Sequence, residues 1–343
     1  EEMKTGNIRV IDPAEVPRRP VKPKKGLNLL LALIVGLIVG TALAFFYEYL
    51  DNTVKDPDDV KYQLKTAHLG SVPTVDLAAV DVAVQNKELV TAHAPKSIAS
   101  EAYRDVRTSI LFSSVEATPQ VLLVTSAGPK EGKTMTAANL AVSLAQSGKK
   151  VVLIDCDLRR PRVGAIFGIT GMALPGEALR GSSEERHATT TATQDAGRVG
   201  VTNMLVENRA INEGLVASDV ANLSLLCSGP IPPNPSEILG TSRMDDLIRT
   251  LRKEFDSVII DSPPVFAVTD AVVLAKKVDG VVLVVRANDK PRKMIVNCLD
   301  KLASVGANVL GVVLNNMDVS GDNAYNYHYA GYGYYDGDEA VSS

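Results

Sequence analysis

Apolar residues along this chain fall into runs of two lengths, and the two lengths call for different elements. Leu27 to Tyr47 is uncharged and rich in Leu, Ile, Val and Ala, with no amphipathic spacing. At ~1.5 Å per residue, its roughly 21 residues make a helix of about 30 Å, the thickness of a bilayer's hydrocarbon core. The remaining runs are short: Val121 to Val124, Val151 to Ile154, Leu223 to Leu226, the strand within Phe255 to Asp261, Gly280 to Val285 and Asn308 to Leu314. Short runs without alternation suit strands buried on both faces of a parallel sheet. Helical spacing lies between them, from Lys133 to a stop at Gly148, from Ala271 to Val278 and from Pro291 to Val305. Strands alternating with helices predict an α/β fold with a doubly wound, mostly parallel sheet, preceded by one transmembrane helix.

The long run admits two other readings, a secretory signal and a buried core helix. Signal h-regions are shorter and no A-x-A-like cleavage site follows, while nothing amphipathic appears over this length, so the membrane span is preferred. Before it, Pro13, Pro17, Pro20 and Pro23 make residues 1–25 a semi-rigid, proline-rich extracytoplasmic stub. The span occupies residues 26–50. Residues 51–96 are polar and read as a juxtamembrane linker, with DPDDVKYQL forming a short helix capped by Asp56 and begun by Pro57. A helix over Ser100 to Phe112, with Ser100 as N-cap, opens a folded domain at residues 97–318 and sets Glu101, Arg104 and Arg107 along one side. About Gly171 to Gly200 is polar, threonine-rich and aperiodic, which predicts a mobile insertion. Further on, SGPIPPNPSEIL reads as a proline-punctuated turn into a helix capped by Asn234 or Ser236. Residues 319–343 hold six of the ten tyrosines and few aliphatic residues, and read as a flexible tail.

Candidate chemistry sits at the junction of the first strand and its helix. Ala127-Gly-Pro-Lys-Glu-Gly-Lys-Thr134 resembles a Walker A phosphate loop, with Ala127 where the commonest form has a glycine. Polyphosphate needs many donors in a small space. Gly128 and Gly132 let backbone N–H groups approach, and the following helix presents its positive end. Lys133 would reach the β- and γ-phosphates and the Thr134 hydroxyl would sit on Mg²⁺. Asp155 and Asp157 leave the end of the next strand, where open α/β sheets keep their sites, and Asp261 ends the VIID strand like a Walker B acid. Such carboxylates hold magnesium or accept a proton.

Composition narrows the picture further. With 343 residues and a net charge of -4, the chain exceeds one ordinary domain and gives no reason to expect nucleic acid as a partner. Cys156, Cys227 and Cys298 are isolated, which reads as reduced cytosolic thiols rather than zinc ligands or disulfides. Charge alone orients the span the other way: Arg18, Arg19, Lys22, Lys24 and Lys25 precede it and Glu48, Asp51, Asp56 and Asp58 follow it. ATP is cytosolic, however, so the phosphate loop sets everything after Leu50 inside. An earlier span would override the local bias, and a start at Glu1 reads as a fragment.

Together, the phosphate loop, DCDLRRPR, VIIDSPP, Glu101-x-x-Arg104-x-x-Arg107 and the terminal tyrosine cluster resemble the bacterial tyrosine kinases of capsule and exopolysaccharide export. The proline-rich stub and span resemble the end of their polysaccharide co-polymerase partner domain. The resemblance implies a P-loop NTPase-type fold in a bacterial inner membrane, with the kinase domain cytoplasmic. It implies ATP and Mg²⁺ held by Gly128, Pro129, Lys130, Glu131, Gly132, Lys133, Thr134 and Met135, with Thr134, Asp157 and Asp261 on the metal. Lys133, Asp155, Asp157 and Asp261 become the catalytic set, with Asp155 accepting the tyrosine proton. It further implies a homo-oligomeric ring contacting through Glu101, Arg104 and Arg107, autophosphorylation of Tyr325, Tyr327, Tyr329, Tyr332, Tyr334 and Tyr335, a polysaccharide polymerase and export machinery, and a cognate phosphatase. The insertion after Phe167 departs from the usual compact loop. Two rivals keep the fold: a partition or septum-site ATPase switch, whose signature lysine is replaced here by Gly128, and a non-catalytic nucleotide-binding assembly protein.

Overall fold

A computed structural model describes residues 23–74, 88–113, 118–169 and 199–317, which divide into two units, Glu1–Asn52 and Thr53–Ser343. The first unit holds α1, Lys25–Leu50. Its stretch Lys25–Tyr47 is long and apolar enough to cross a membrane, and none of it is buried. Leu29, Leu33, Leu37 and Phe45 all point outward, as lipid contact requires. The one hydroxyl in its middle, on Thr41, donates to the Leu37 carbonyl at 2.8 Å and is satisfied within the helix, as an apolar surrounding would require.

The second unit is an eight-stranded sheet. Its strands are β1 (His68–Pro73), β2 (Val121–Ser126), β3 (Val151–Asp155), β4 (Leu215–Ala217), β5 (Leu223–Leu226), β6 (Ser257–Asp261), β7 (Gly280–Arg286) and β8 (Val309–Met317), in the order β1-β8-β7-β2-β6-β3-β5-β4. All neighbours are parallel except the edge pair β4 and β5. Because strand side chains alternate, β2 sends Leu122 and Val124 to one face and Val121 and Leu123 to the other. The first face packs on α3 (Ile98–Leu111) and α4 (Lys133–Gln146) through Tyr103, Val106, Ile110, Leu140 and Leu144. The second packs on α8 (Ser242–Glu254), α9 (Asp270–Ala275) and α10 (Arg292–Ser304) through Leu247, Leu251, Leu274, Ile295 and Leu302. Helices on both faces explain the unbroken apolar strands. Short helices α2 (Val90–His93), α5 (Val163–Ile166), α6 (Val201–Glu207) and α7 (Pro235–Gly240) fill the connections.

Several boundaries differ from the sequence expectation. Residues 51–96 are not simply a linker, because β1 pairs with β8 (His68 opposite Val312) and Val54, Val60 and Leu64 are buried in the core. HLGSVP escapes notice because it has neither an apolar run nor strict alternation. In DPDDVKYQL, a π-helical turn spans Asp59–Gln63, and Asp59 rather than Asp56 satisfies free N–H groups, those of Lys55 (3.0 Å) and Asp56 (3.4 Å). Helix α3 begins three residues early: Ser97 is its N-cap, accepting from the Ser100 N–H, while the Ser100 hydroxyl is buried and donates to the Ala94 and Val90 carbonyls. Neither Asn234 nor Ser236 caps α7 with its side chain: Asn234 donates to Glu237, and Ser236 donates to Asp270. Of the predicted stub over residues 1–25 all but 23–25, of the predicted insertion from about Gly171 to Gly200 all but 199 and 200, and the whole of the predicted tail over residues 319–343 lie outside the described residues.

Candidate active site

The parallel strands β2, β6 and β3 end side by side, with Asp155 registered against Asp261 and Val124 against Asp261. The loop after β2 is therefore flanked on one side by both acid-bearing strand ends. Within it, Gly132 takes a left-handed φ of 89°, and a Cβ there would lie 2.0 Å from Asn315 Nδ2. Only glycine fits, because that amide must stay to donate to the Glu131 carbonyl at 2.9 Å. Glu131 is buried and turns away from the loop's mouth; its Oε1 accepts the Gly128 N–H at 2.8 Å, while Ser126 Oγ donates to the Gly128 carbonyl at 2.7 Å. The loop is held from behind by side chains, which leaves its remaining N–H groups and the start of α4 for an anion. Pro129 and Lys130 are exposed at its tip, and Met135 is half-buried on the first turn of α4.

Lys133 Nζ lies 2.9 Å from Asp157 Oδ2, 3.5 Å from Asp261 Oδ2 and 3.0 Å from Thr134 Oγ1. Burial disfavours its charge, but Asp261 and Asp157 outweigh burial and raise its pKa. Thr134 Oγ1 donates to Asp261 Oδ2 at 2.8 Å. Asp155 and Asp261 are fully buried, and burial raises both pKa values, with Asp261 adding to the effect on Asp155. Asp155 Oδ1 accepts the Asp157 N–H, and its Oδ2 accepts those of Arg162 and Val163. Three of its roughly four lone-pair positions are thus filled. The sequence-derived set of Lys133, Thr134, Asp157 and Asp261 is brought together around one point, with Asp155 directly behind it.

Magnesium prefers one or two carboxylates together with water and substrate phosphates rather than a protein cage. Among the described residues no three His, Cys, Asp or Glu side chains form such a cage. What is present is a hydroxyl, Thr134 Oγ1, next to a buried carboxylate whose second oxygen, Asp261 Oδ1, has no partner. That donor set fits a small hard cation shared with phosphate.

Three features escaped the sequence. Asn315 was hidden in an apolar strand, although the pair Asn315-Asn316 at its C-terminal end was a visible polar signal. An open cavity of about 610 Å³, lined by Thr74, Arg286, Ala287, Asn288, Asp289 and Asn316, lies at the same sheet edge beyond β7 and β8. Arg159 pairs with the buried Asp270, Nε to Oδ2 at 3.0 Å and Nη2 to Oδ1 at 3.2 Å. As for the expected contact helix, Arg104 pairs with Glu101 and donates to the Pro95 carbonyl at 2.6 Å, while Arg107 donates to the Ser143 carbonyl at 2.7 Å on α4 of its own chain. The six acceptor tyrosines lie outside the described residues.

Comparison with known proteins adds an independent finding. The AAA domain family matches residues 127–305, and the GNVR family, described as "G-rich domain on putative tyrosine kinase", matches residues 1–49. The chain is 36% identical over 242 residues to the tyrosine-protein kinase YwqD of Bacillus subtilis, covering 71% of this chain and 91% of that protein. It is 31% identical over 336 residues to the tyrosine-protein kinase etk of Escherichia coli K12, covering 94% of this chain and 43% of that protein. The chain thus spans about two fifths of the length of the curated relatives that it matches nearly end to end. Among solved structures, the kinase domain of the E. coli tyrosine kinase ETK superposes with a TM-score of 0.67 at 26% identity, covering 79% of this chain and 98% of that one.

Proposed function

Because this chain belongs to the bacterial tyrosine-protein kinase family, we propose that it is an ATP-dependent protein-tyrosine autokinase, anchored in the inner membrane by α1 with its sheet domain in the cytoplasm. The observation that carries the reading is the convergence of Lys133, Thr134, Asp157 and Asp261 at the mouth of the phosphate loop. In this reading residues 1–25 and 26–50 are stub and span, the kinase domain runs to residue 318, and residues 319–343 carry the acceptors.

The phenol oxygen of a tail tyrosine attacks the γ-phosphorus of ATP, the bond from that phosphorus to the β,γ-bridging oxygen breaks, and ADP leaves with the electron pair. Lys133 swings from its carboxylates to the β- and γ-phosphates and offsets their growing charge. Thr134, Asp157 and Asp261 would hold Mg²⁺, which would supply charge neutralisation at the phosphates. Asp155, raised by burial and keeping one open lone pair, receives the phenolic proton. The cavity beside Arg286 and Asn316 is wide enough for the nucleoside end of ATP. The acceptor tyrosines are Tyr325, Tyr327, Tyr329, Tyr332, Tyr334 and Tyr335, modified between subunits of a ring that regulates polysaccharide polymerisation and export and is reset by a cognate phosphatase.

The test is phosphotyrosine mass spectrometry of the purified chain incubated with Mg-ATP. Wild type acquires phosphotyrosine in the tail, and Lys133→Met lowers the rate by at least about 10²-fold, the loss typical of removing one charge-stabilising donor, in a chain that still unfolds cooperatively although less stable for the lost Asp157 and Asp261 pairing. Undiminished phosphotyrosine in folded Lys133→Met would remove Lys133 from the mechanism. ATP hydrolysis with no phosphotyrosine in wild type would instead favour the ATPase-switch reading.

A further inference from the structure

Three loops leave neighbouring strand ends beside the site: residues 156–162 after β3, 227–234 after β5 and 262–269 after β6. A single buried carboxylate joins them. Asp270 is fully buried at the start of α9 and takes both the Arg159 guanidinium from the first loop and the Ser236 hydroxyl from just past the second. Arg159 Nη2 also reaches Ser236 Oγ at 3.2 Å, and Thr269 Oγ1 of the third loop lies 3.2 Å from the same oxygen. Asp270 is fully buried while Arg159 is exposed, so what the Arg159 and Ser236 donors do is satisfy a carboxylate that has no access to water, and this ties the three loops into one rim.

The three arginines of the first loop are differently placed. Arg159 is held by Asp270, and Arg162 by Glu88 at 2.9 Å. Arg160 is exposed and pairs with no carboxylate among the described residues. Its backbone N–H donates to Asp157 Oδ1 at 3.1 Å, so its side chain leaves the chain directly beside the reacting groups. The same rim exposes Ile231 and Phe266, at 65% and 40%, which gives an aryl ring apolar surface.

An acceptor entering here meets three carboxylates, Asp155, Asp157 and Asp261, and the phosphates of the nucleotide, a negative charge that the single cation Lys133 offsets only in part. An acidic acceptor is repelled unless a cation stands at the entrance. Residues 319–343 contain no Lys or Arg but carry Asp322, Asp336, Asp338 and Glu339. Three of those four follow Tyr334 and Tyr335 directly, within about 14 Å, the span of four extended residues. Tyr327, Tyr329 and Tyr332 have only Asn, His, Ala, Gly or Tyr on either side.

We infer that Arg160 is a specificity-determining residue that reads the acidic flank of the acceptor, so that Tyr334 and Tyr335 of the tail are phosphorylated ahead of Tyr325, Tyr327, Tyr329 and Tyr332. This rests on the autokinase reading above. The occupant of the rim is the tail segment of this same protein, delivered by a second copy.

The experiment is a time course of site-resolved phosphotyrosine on the full-length, detergent-solubilised chain with Mg-ATP. In wild type, Tyr334 and Tyr335 reach half-modification first. Arg160→Glu slows those two sites about tenfold and the other four less than twofold, with KM for ATP moving less than twofold. Combining Arg160→Glu with Asp336→Lys, Asp338→Lys and Glu339→Lys in the tail restores the early phase, a rescue that a merely structural role for Arg160 would not give. An unchanged order of sites in Arg160→Glu, or an equal fall at all six with a matching rise in KM for ATP, overturns the inference while leaving the autokinase reading intact. Absence of phosphotyrosine from wild type sinks both.

Discussion

Glu131 places an ionisable carboxyl 1% exposed behind the phosphate loop, with Oε2 unpaired. Burial pushes its pKa up to about 7 from an ordinary 4.5, against the opposing pull of the Gly128 N–H and of Lys290. The folded state therefore favours the neutral acid: its contribution to stability is fully present below the unfolded value and is lost as pH rises through about 7. Glutamine keeps the acceptor for Gly128 and cannot ionise. Going from pH 5 to pH 8, denaturant melts should show the stability difference between Glu131→Gln and wild type moving toward the variant, by up to about 3 kcal/mol. A difference independent of pH would mean that Glu131 is ionised throughout, held by Lys290. Residues whose placement follows from local spacing were legible in the sequence: Lys133 and Thr134 open α4 directly after the loop, Asp155 and Asp261 end apolar strands, and Asp157 follows two residues past the first of them. Asn315 and Asp270 were not, because each acts on a partner far away in the chain, Glu131 and Arg159 respectively.

At the scale of elements, strands buried on both faces gave themselves away by unbroken apolar runs, whereas β1 did not, since an edge strand buried in part needs no such run. The start of α3 was misread for a related reason. Ser97 and Ser100 both precede the apolar spacing, and only tertiary packing, which buries the Ser100 hydroxyl against Val90 and Ala94, decides that Ser97 caps. Removing a capping hydroxyl costs about 1 kcal/mol, and an aspartate at the same place restores the acceptor and suits the positive helix end. Ser97→Ala should therefore lower unfolding stability by about 1 kcal/mol and Ser97→Asp should lower it by less than half of that, read from urea melts of the detergent-solubilised chain. Equal losses in both variants would show that Ser97 acts through something other than the cap.

At the scale of the whole molecule, α3 and the tail together are the two features suited to assembly. Arg107 is tied to the Ser143 carbonyl of its own chain, a charge-assisted bond worth about 1.5 to 3 kcal/mol. Arg107→Ala would thus mix lost stability with lost assembly. Arg104 also bonds within its chain, to Glu101 and the Pro95 carbonyl, but at an exposed place where such bonds are worth less than the part-buried one of Arg107, so Arg104→Ala is the cleaner probe when its stability is measured alongside. If neighbouring subunits meet through this face and each tail enters the next site, transfer is bimolecular. The phosphotyrosine formed per chain in wild type then falls on dilution, and Arg104→Ala shifts that dependence to higher concentration without altering nucleotide binding. Phosphorylation itself would act against such an assembly. Each phosphate adds ~1.5 to 2 negative charges to a tail that already carries Asp322, Asp336, Asp338 and Glu339 and no Lys or Arg. Several phosphates repel one another, and all of them oppose return to a site that holds three carboxylates and a nucleotide. The phosphorylated chain should accordingly sediment as smaller species than phosphatase-treated chain in the same detergent, with the difference shrinking as salt screens the charges. Identical sedimentation of the two forms, together with a rate per chain that does not change on dilution, would establish transfer within one subunit and remove the tail as the tether.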